Sequence, residues 1–268
     1  MNSWQATALN TAPESENQIH SDELAKEYGF KGGLVPGVTV SAYLLHPVIE
    51  SFGETWLANG YAKCKITSPL YDGETFTVLS ENLKENCSNT FLKNQKGRII
   101  ANAESKLIKN KIPEPKFRGD LLVQKNFEAP KASFAVWEEL KKDGCRAFEF
   151  HWGGKDPLIY LSDEVLLPEI LQPKKGGYAN LCFLLGCSNW ILAGNAFMNP
   201  WVHLQTKSQN YKPVPFDTNL IAEMSVKDFY EKKGHEFIEV EVNLFESETK
   251  SCAMSINLLA IFKLRNKK

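Results

Sequence analysis

Several signals that would assign a function class at once are missing from these 268 residues. No apolar run approaches the roughly 18 consecutive residues of a membrane helix. Residues 1–17 are polar and acidic and lack the apolar core of a signal peptide, so a soluble, cytoplasmic protein is expected. Neither charge dominates: 31 basic residues face 32 acidic ones, for a formal net charge of -1. Bulk attraction to nucleic acid or an anionic membrane is therefore not expected. Six cysteines are present, Cys64, Cys87, Cys145, Cys182, Cys187 and Cys252. They form no CxxC pair and no Cys/His cluster of zinc spacing, so buried reduced thiols are expected and no metal. The glycine run near residue 33 is not followed by Lys-Ser/Thr and is not a phosphate loop.

What is present is ordinary globular material, 43% hydrophobic and 24% charged, long enough to bury a core without staples. Residues 1–19 read as irregular. Ser21-Asp22-Glu23 opens a short helix to about Tyr28, stopped by Gly29. The run Lys31-Gly32-Gly33-Leu34-Val35-Pro36-Gly37 is a loop. Val38, Ala42, Leu45, Ile49, Phe52 and Trp56 then fall at helical spacing and predict a buried helix over 38–57. Strands are predicted over 62–67, 76–83, 87–94 and 99–108, with Gln95-Lys96-Gly97 as a hairpin turn. Residues 109–130 carry Pro113, Pro115 and Pro130 without periodicity and read as a linker, free or running along the surface.

The order then repeats. An amphipathic helix over 132–142 and strands or extended segments over 148–152 and 158–161 precede Lys174-Lys175-Gly176-Gly177. An apolar helix over 178–193 follows, then strands over 201–211, 219–230, 237–245 and 253–264. Ile238, Val240, Val242 and Leu244 alternate with polar residues, giving one wet face. Strands that come in a run rather than alternating with helices indicate a duplicated α+β unit, not an α/β fold. The expected division is a first half over 1–110, a linker over 111–130 and a second half over 131–268.

One helix wrapped by an antiparallel sheet, twice, suggests a tandem (double) hotdog. A local motif sharpens this. Asn17-Gln18-Ile19-His20-Ser21-Asp22, then Ala25 and Gly29 through Gly37, resembles the signature of the MaoC-like enoyl-CoA hydratase/dehydratase family, Asp-x-Asn-Pro-(Ile/Leu)-His followed by a short helix, a glycine-bearing loop and the central helix. The Lys232-Lys233-Gly234-His235 turn is similar to one in double-hotdog MaoC-like proteins. The resemblance implies reversible addition of water at carbons 2 and 3 of an acyl thioester, carried by CoA or an acyl-carrier protein, with no cofactor. It implies His20 as the acid/base and the Gly37 amide, with Val38 starting the helix, as the site of the thioester oxygen. Such chemistry needs a proton acceptor, a proton donor and N–H groups for the charge on that oxygen. Ser15 stands where the family has its catalytic aspartate and Gln18 where it has proline. A serine hydroxyl is not a useful base without activation. Glu16 is one position off.

Plainer roles compete with these. His20 can brace the short helix, Glu16 can be a solvated charge, and Gly32, Gly33 and Gly37 can serve turn geometry alone. Tyr43 and His46 read as packing residues, His235 as a solvated turn residue and His203 as a strand residue turned outward to an interface. The second half is expected to be catalytically silent and to shape the acyl pocket. Two other functions fit the same architecture: a hotdog thioesterase and a non-catalytic acyl-thioester-binding protein. Exposed sheet edges leave a homodimer open, although two halves can be complete alone.

Overall fold

The alternating segments of both halves meet in a single antiparallel sheet of ten strands in the computed structural model, which describes residues 2–83, 86–110 and 112–265. The strands are β1 (Asn2–Thr7), β2 (Gly60–Ile66), β3 (Thr75–Glu81), β4 (Cys87–Asn94), β5 (Ile99–Leu107), β6 (Phe148–Trp152), β7 (Val202–Asn210), β8 (Thr218–Lys232), β9 (His235–Glu246) and β10 (Cys252–Lys263). Their order is β1-β3-β4-β5-β2-β7-β10-β9-β8-β6. Read inward from either edge, the two sets of five follow the same sequence of connections. The seam is the β2–β7 pair, with Tyr61 opposite Gln209 and Lys65 opposite Gln205.

The helices are α1 (Leu24–Glu27), α2 (Gly37–Phe52), α3 (Glu54–Asn59), α4 (Phe134–Asp143) and α5 (Leu181–Asn195). α2 packs across β2 to β5 and β7, α5 packs on β6, β8 and β10, and α2 and α5 touch each other. Both are apolar on nearly every side, as a helix must be when sheet and helix enclose it. The predicted helix over 38–57 is instead two, because the chain turns at Gly53 with φ 54°. Trp56 therefore lies on α3, fully buried, with its indole N–H donating to Ser105 Oγ at 2.8 Å. A second difference is β1, where an irregular segment was expected. It pairs with β3 at the sheet edge and lays Trp4 flat on the His46 ring, centroids 3.9 Å apart. The extended segment expected over 158–161 joins no strand.

The two halves repeat a packing device as well as a topology. Val35 N–H, before α2, donates to Leu70 O at 2.9 Å, and Ala179 N–H, before α5, donates to Val214 O at 2.8 Å. Each bond ties the helix start to the loop leading into the next long strand. The two starts then differ. Asn180 caps α5, its Oδ1 accepting from Phe183 N–H at 3.1 Å, a preferred N-cap arrangement. Pro36 stands at the same place before α2 and has no side chain that can cap.

The described part of the proline-rich connection is docked. Glu223 on β8, fully buried, accepts the N–H groups of Arg118 at 2.9 Å, Gly119 at 2.7 Å and Asp120 at 3.0 Å. Three amide donors replace the hydration of the carboxylate. Glu223→Gln presents an NH2 to this cluster, so at least one donor loses its acceptor. The expected cost is about 1–3 kcal/mol, read by urea denaturation, with easier proteolytic cleavage near residue 118. Unchanged stability would show that the grip on the connection is dispensable.

Candidate active site

The segment carrying His20 is held from both halves. Residues Gln18–His20 form one 3-10 turn. Asn17, buried, clasps the backbone of Trp201: its Nδ2 donates to Trp201 O at 3.0 Å and its Oδ1 accepts Trp201 N–H at 3.2 Å. Gln18 N–H donates to Asn199 Oδ1 at 3.0 Å. Each such bond contributes on the order of 1 kcal/mol, and together they fix the turn against the start of β7. On the other side Leu34 N–H donates to Ile19 O at 2.8 Å. The glycine loop must come close here, since a Cβ on Gly33 would lie 2.4 Å from the His20 carbonyl oxygen.

His20 Nδ1 lies 2.7 Å from Leu34 O. A carbonyl can only accept, so Nδ1 carries the hydrogen and the neutral ring keeps its lone pair on Nε2. Burial pushes the His20 pKa below the usual 6.5, against the smaller opposing effect of the Leu34 bond. The imidazole is therefore neutral at pH 7, with Nε2 set to accept a proton.

His20 lines two cavities. One, of about 160 Å³, is bounded by His20, Gly37, Asn189 and His203 and by apolar side chains such as Leu34, Val40, Ile66 and Leu70. The other is a more open cleft of about 510 Å³ toward α5 and the 11–17 loop. They share Asn17, His20, Asn189 and Trp201. Gly37 is the first residue of α2 and borders the smaller cavity, while Val38 borders the cleft. The amides of Gly37 and Val38 find no acceptor among the described residues. They are free N–H groups at the positive end of a helix.

Ser15 and Glu16 are placed differently. Both are exposed and line the cleft that also reaches His20. Ser15 Oγ accepts Asn17 N–H at 3.1 Å, a local turn bond. Neither side chain is hydrogen-bonded to His20. Among the described residues no cluster of three potential metal ligands occurs.

The structure adds a residue that strand alternation turned outward. His203 is 7% exposed and faces α2. Thr206, Ser208 and Asn210 on β7 are buried in regular alternation. The register then slips: Gln205 pairs with Leu259 but His203 pairs with Ala260, leaving Leu204 as the extra residue of a β-bulge. A bulge reverses which face the following residues occupy, and so His203 points inward. Its Nδ1 lies 3.1 Å from Asn189 Oδ1 on α5, and its Nε2 is buried without a partner. Leaving such an atom unpaired costs about 1–3 kcal/mol. The ring lies against Gly37, where a Cβ would be 2.7 Å from Cγ and Cδ2.

The other polar groups sort as structural. Tyr43 OH accepts Leu9 N–H at 2.8 Å and His46 Nδ1 meets Tyr160 OH at 3.0 Å. Cys182 borders the cleft, but burial pushes its thiol up to about 11, too high for a nucleophile at neutral pH. Cys64, Cys145, Cys187 and Cys252 are also buried free thiols, whereas Cys87, expected inside, is exposed.

Two expectations follow. Gly37→Ala drives a methyl group into the His203 ring and should cost about 1–3 kcal/mol, while His203→Ala in the same chain should recover part of the loss of thermal stability. Full additivity of the two changes would mean that the rings and backbone do not meet. The second concerns pH. Burial lowers the pKa of His20, takes His46 to about 4 and takes His203 to about 3. Between those values and about 6.5 the unfolded chain binds more protons than the folded one. Stability is thus complete above pH 6.5 and declines as the pH falls toward 3–4. Proton NMR of the His20 ring should give a midpoint below 6.5; a midpoint at or above that value would contradict the buried, neutral assignment.

No protein-family model matches the chain, and no curated protein matches it in sequence. Solved structures do match in fold. A double-hotdog protein from Mycobacterium tuberculosis superposes with TM-score 0.58 at 11% identity, over 97% of this chain and 95% of that one. A protein described as a MaoC-domain dehydratase from Chloroflexus aurantiacus gives 0.56 at 9% identity, over 99% and 95%. One described as a thioesterase from Novosphingobium aromaticivorans gives 0.51 at 12% identity, over 86% and 88%. The architecture of this chain, two helix-and-sheet halves closed on each other, is the double hotdog fold.

Proposed function

We propose that the chain binds acyl thioesters between its halves and adds or removes water at carbons 2 and 3. CoA or an acyl-carrier protein would be the handle of the substrate, and no cofactor takes part in the steps. One observation carries this reading. His20, whose lone pair is on Nε2, and Gly37, at the open N-terminus of α2, border the same mainly apolar cavity. The apolar wall suits an acyl chain. The amides of Gly37 and Val38 suit the thioester oxygen, where negative charge develops.

The steps balance with a single base. His20 Nε2 takes a proton from water as its oxygen bonds carbon 3, and the carbon–carbon π pair moves toward the thioester oxygen held by the amides. The imidazolium then returns a proton to carbon 2, and H–OH has been added overall. Dehydration is the reverse. The MaoC-like motif around His20 supports this assignment, and Ser15 in the aspartate position weakens it. A non-catalytic binding role is the second reading, favoured because Ser15 is engaged in a turn and no carboxylate is bonded to His20. Thioester hydrolysis would use the same amides with water directed at carbon 1, and neighbours of both descriptions share the fold.

Hydration of crotonyl-CoA, followed by loss of enoyl absorbance, should be measurable. His20→Ala should lower it by about 100-fold or more, and the activity should fall on the acid side as His20 protonates. Release of free thiol instead would establish hydrolysis. A rate unchanged in His20→Ala would remove His20 from the mechanism.

A further inference from the structure

We propose that His203, supplied by the second half, is a substrate-binding residue that accepts a hydrogen bond from the 3-hydroxyl of a 3-hydroxyacyl thioester, or from the water that becomes it. The inference rests on the acyl-thioester reading and adds to it a residue of the second half that holds the oxygen on carbon 3.

Three independent features converge on this side chain. The first is the bulge at Leu204, which aims His203 at α2 when the regular pleat would aim it away. Bulges recur beside functional sites for this purpose. The second is the polarity of the ring. Asn189 Oδ1 can only accept, so Nδ1 is the donor and Nε2 is left as a lone-pair atom. That atom is buried and unpaired in a residue lining the cavity. Burial also keeps the ring neutral, pushing its pKa down to about 3, so it acts as an acceptor and not as a cation. The third is position. The Cγ–Cδ2 edge covers Gly37, and Nε2 is the next ring atom after Cδ2. A thioester oxygen on the α2 amides would place carbon 3 two bonds beyond the carbonyl carbon, within the cavity shared by His20 and His203.

The acyl part of a saturated thioester offers no donor. A 3-hydroxyacyl group offers one, and water offers two. The chemistry of the orphaned acceptor thus selects the hydrated side of the reaction. Asn189 acts through His203 and is a positioning residue that fixes its tautomer.

The test compares binding of 3-hydroxybutyryl-CoA and butyryl-CoA by calorimetry. The wild type should prefer the hydroxy ligand about five- to ten-fold, the value of one neutral hydrogen bond. His203→Phe, which keeps a ring against Gly37 but has no acceptor, should bring the ratio to about one. Nitrogen-15 NMR of the wild type provides a measurement that needs no variant: the Nε2 resonance of His203 should shift with the hydroxy ligand and not with butyryl-CoA. Equal affinity of the wild type for both ligands, or an unmoved Nε2 resonance, would overturn the role of His203 and leave the acyl-thioester reading standing. Failure of both ligands to bind would overturn the two together.

Discussion

The pairing of β2 with β7 is the interaction on which the remainder of the molecule depends. It joins two five-stranded halves into one sheet. In doing so it sets the start of β7 beside the start of α2, so that Trp201 receives Asn17 and His203 meets Gly37. Neither half contains the cavity alone: His20 and Gly37 come from the first, Asn189 and His203 from the second. A hydrogen-bonded seam between strands fixes relative position far better than contacts between separate domains would. The site inherits that rigidity.

Duplication explains the frame, and divergence between the copies explains the site. Each helix start is anchored by the same backbone bond, at Val35 and at Ala179. Only the second is closed by a side chain, Asn180. The first begins with Pro36-Gly37, has two free amides and a surface flat enough for an imidazole to lie on it. The second half was expected to shape the pocket of the first, and the cavity lining shows how it does so. Its helix start is sealed, but its strand and helix supply two polar side chains to the cavity of the first half.

The fold was legible because burial on one face leaves a period in the sequence. Ile238 to Leu244 alternated as a strand, and Val38 to Ile49 kept helical spacing. The edges of that legibility have physical causes. β1 lies at the rim of the sheet with four of its six residues exposed, and its alternation, Trp4 and Ala6 against Ser3, Gln5 and Thr7, is too short and too shallow to stand out. The break at Gly53 falls between Phe52 and Trp56, whose i, i+4 spacing carries the helical period across it and masks it. His203 was misread because a single inserted residue, Leu204, reverses the alternation, and the partner strand that reveals the slip lies more than fifty residues away. The His20 motif was readable as a string. Its meaning depends on what faces it, and Ser15, Glu16, Asn189 and His203 could be sorted only once the chain was folded.

The central claim is that an acyl thioester lies between the halves with its carbonyl on α2 and its third carbon between two neutral histidines. A crystal structure with 3-hydroxybutyryl-CoA bound tests it most directly. The account predicts the thioester oxygen within hydrogen-bond distance of the Gly37 or Val38 amide, and the 3-hydroxyl within reach of the Nε2 atoms of His20 and His203. An acyl group seated elsewhere, or one whose carbonyl points away from the start of α2, would contradict it.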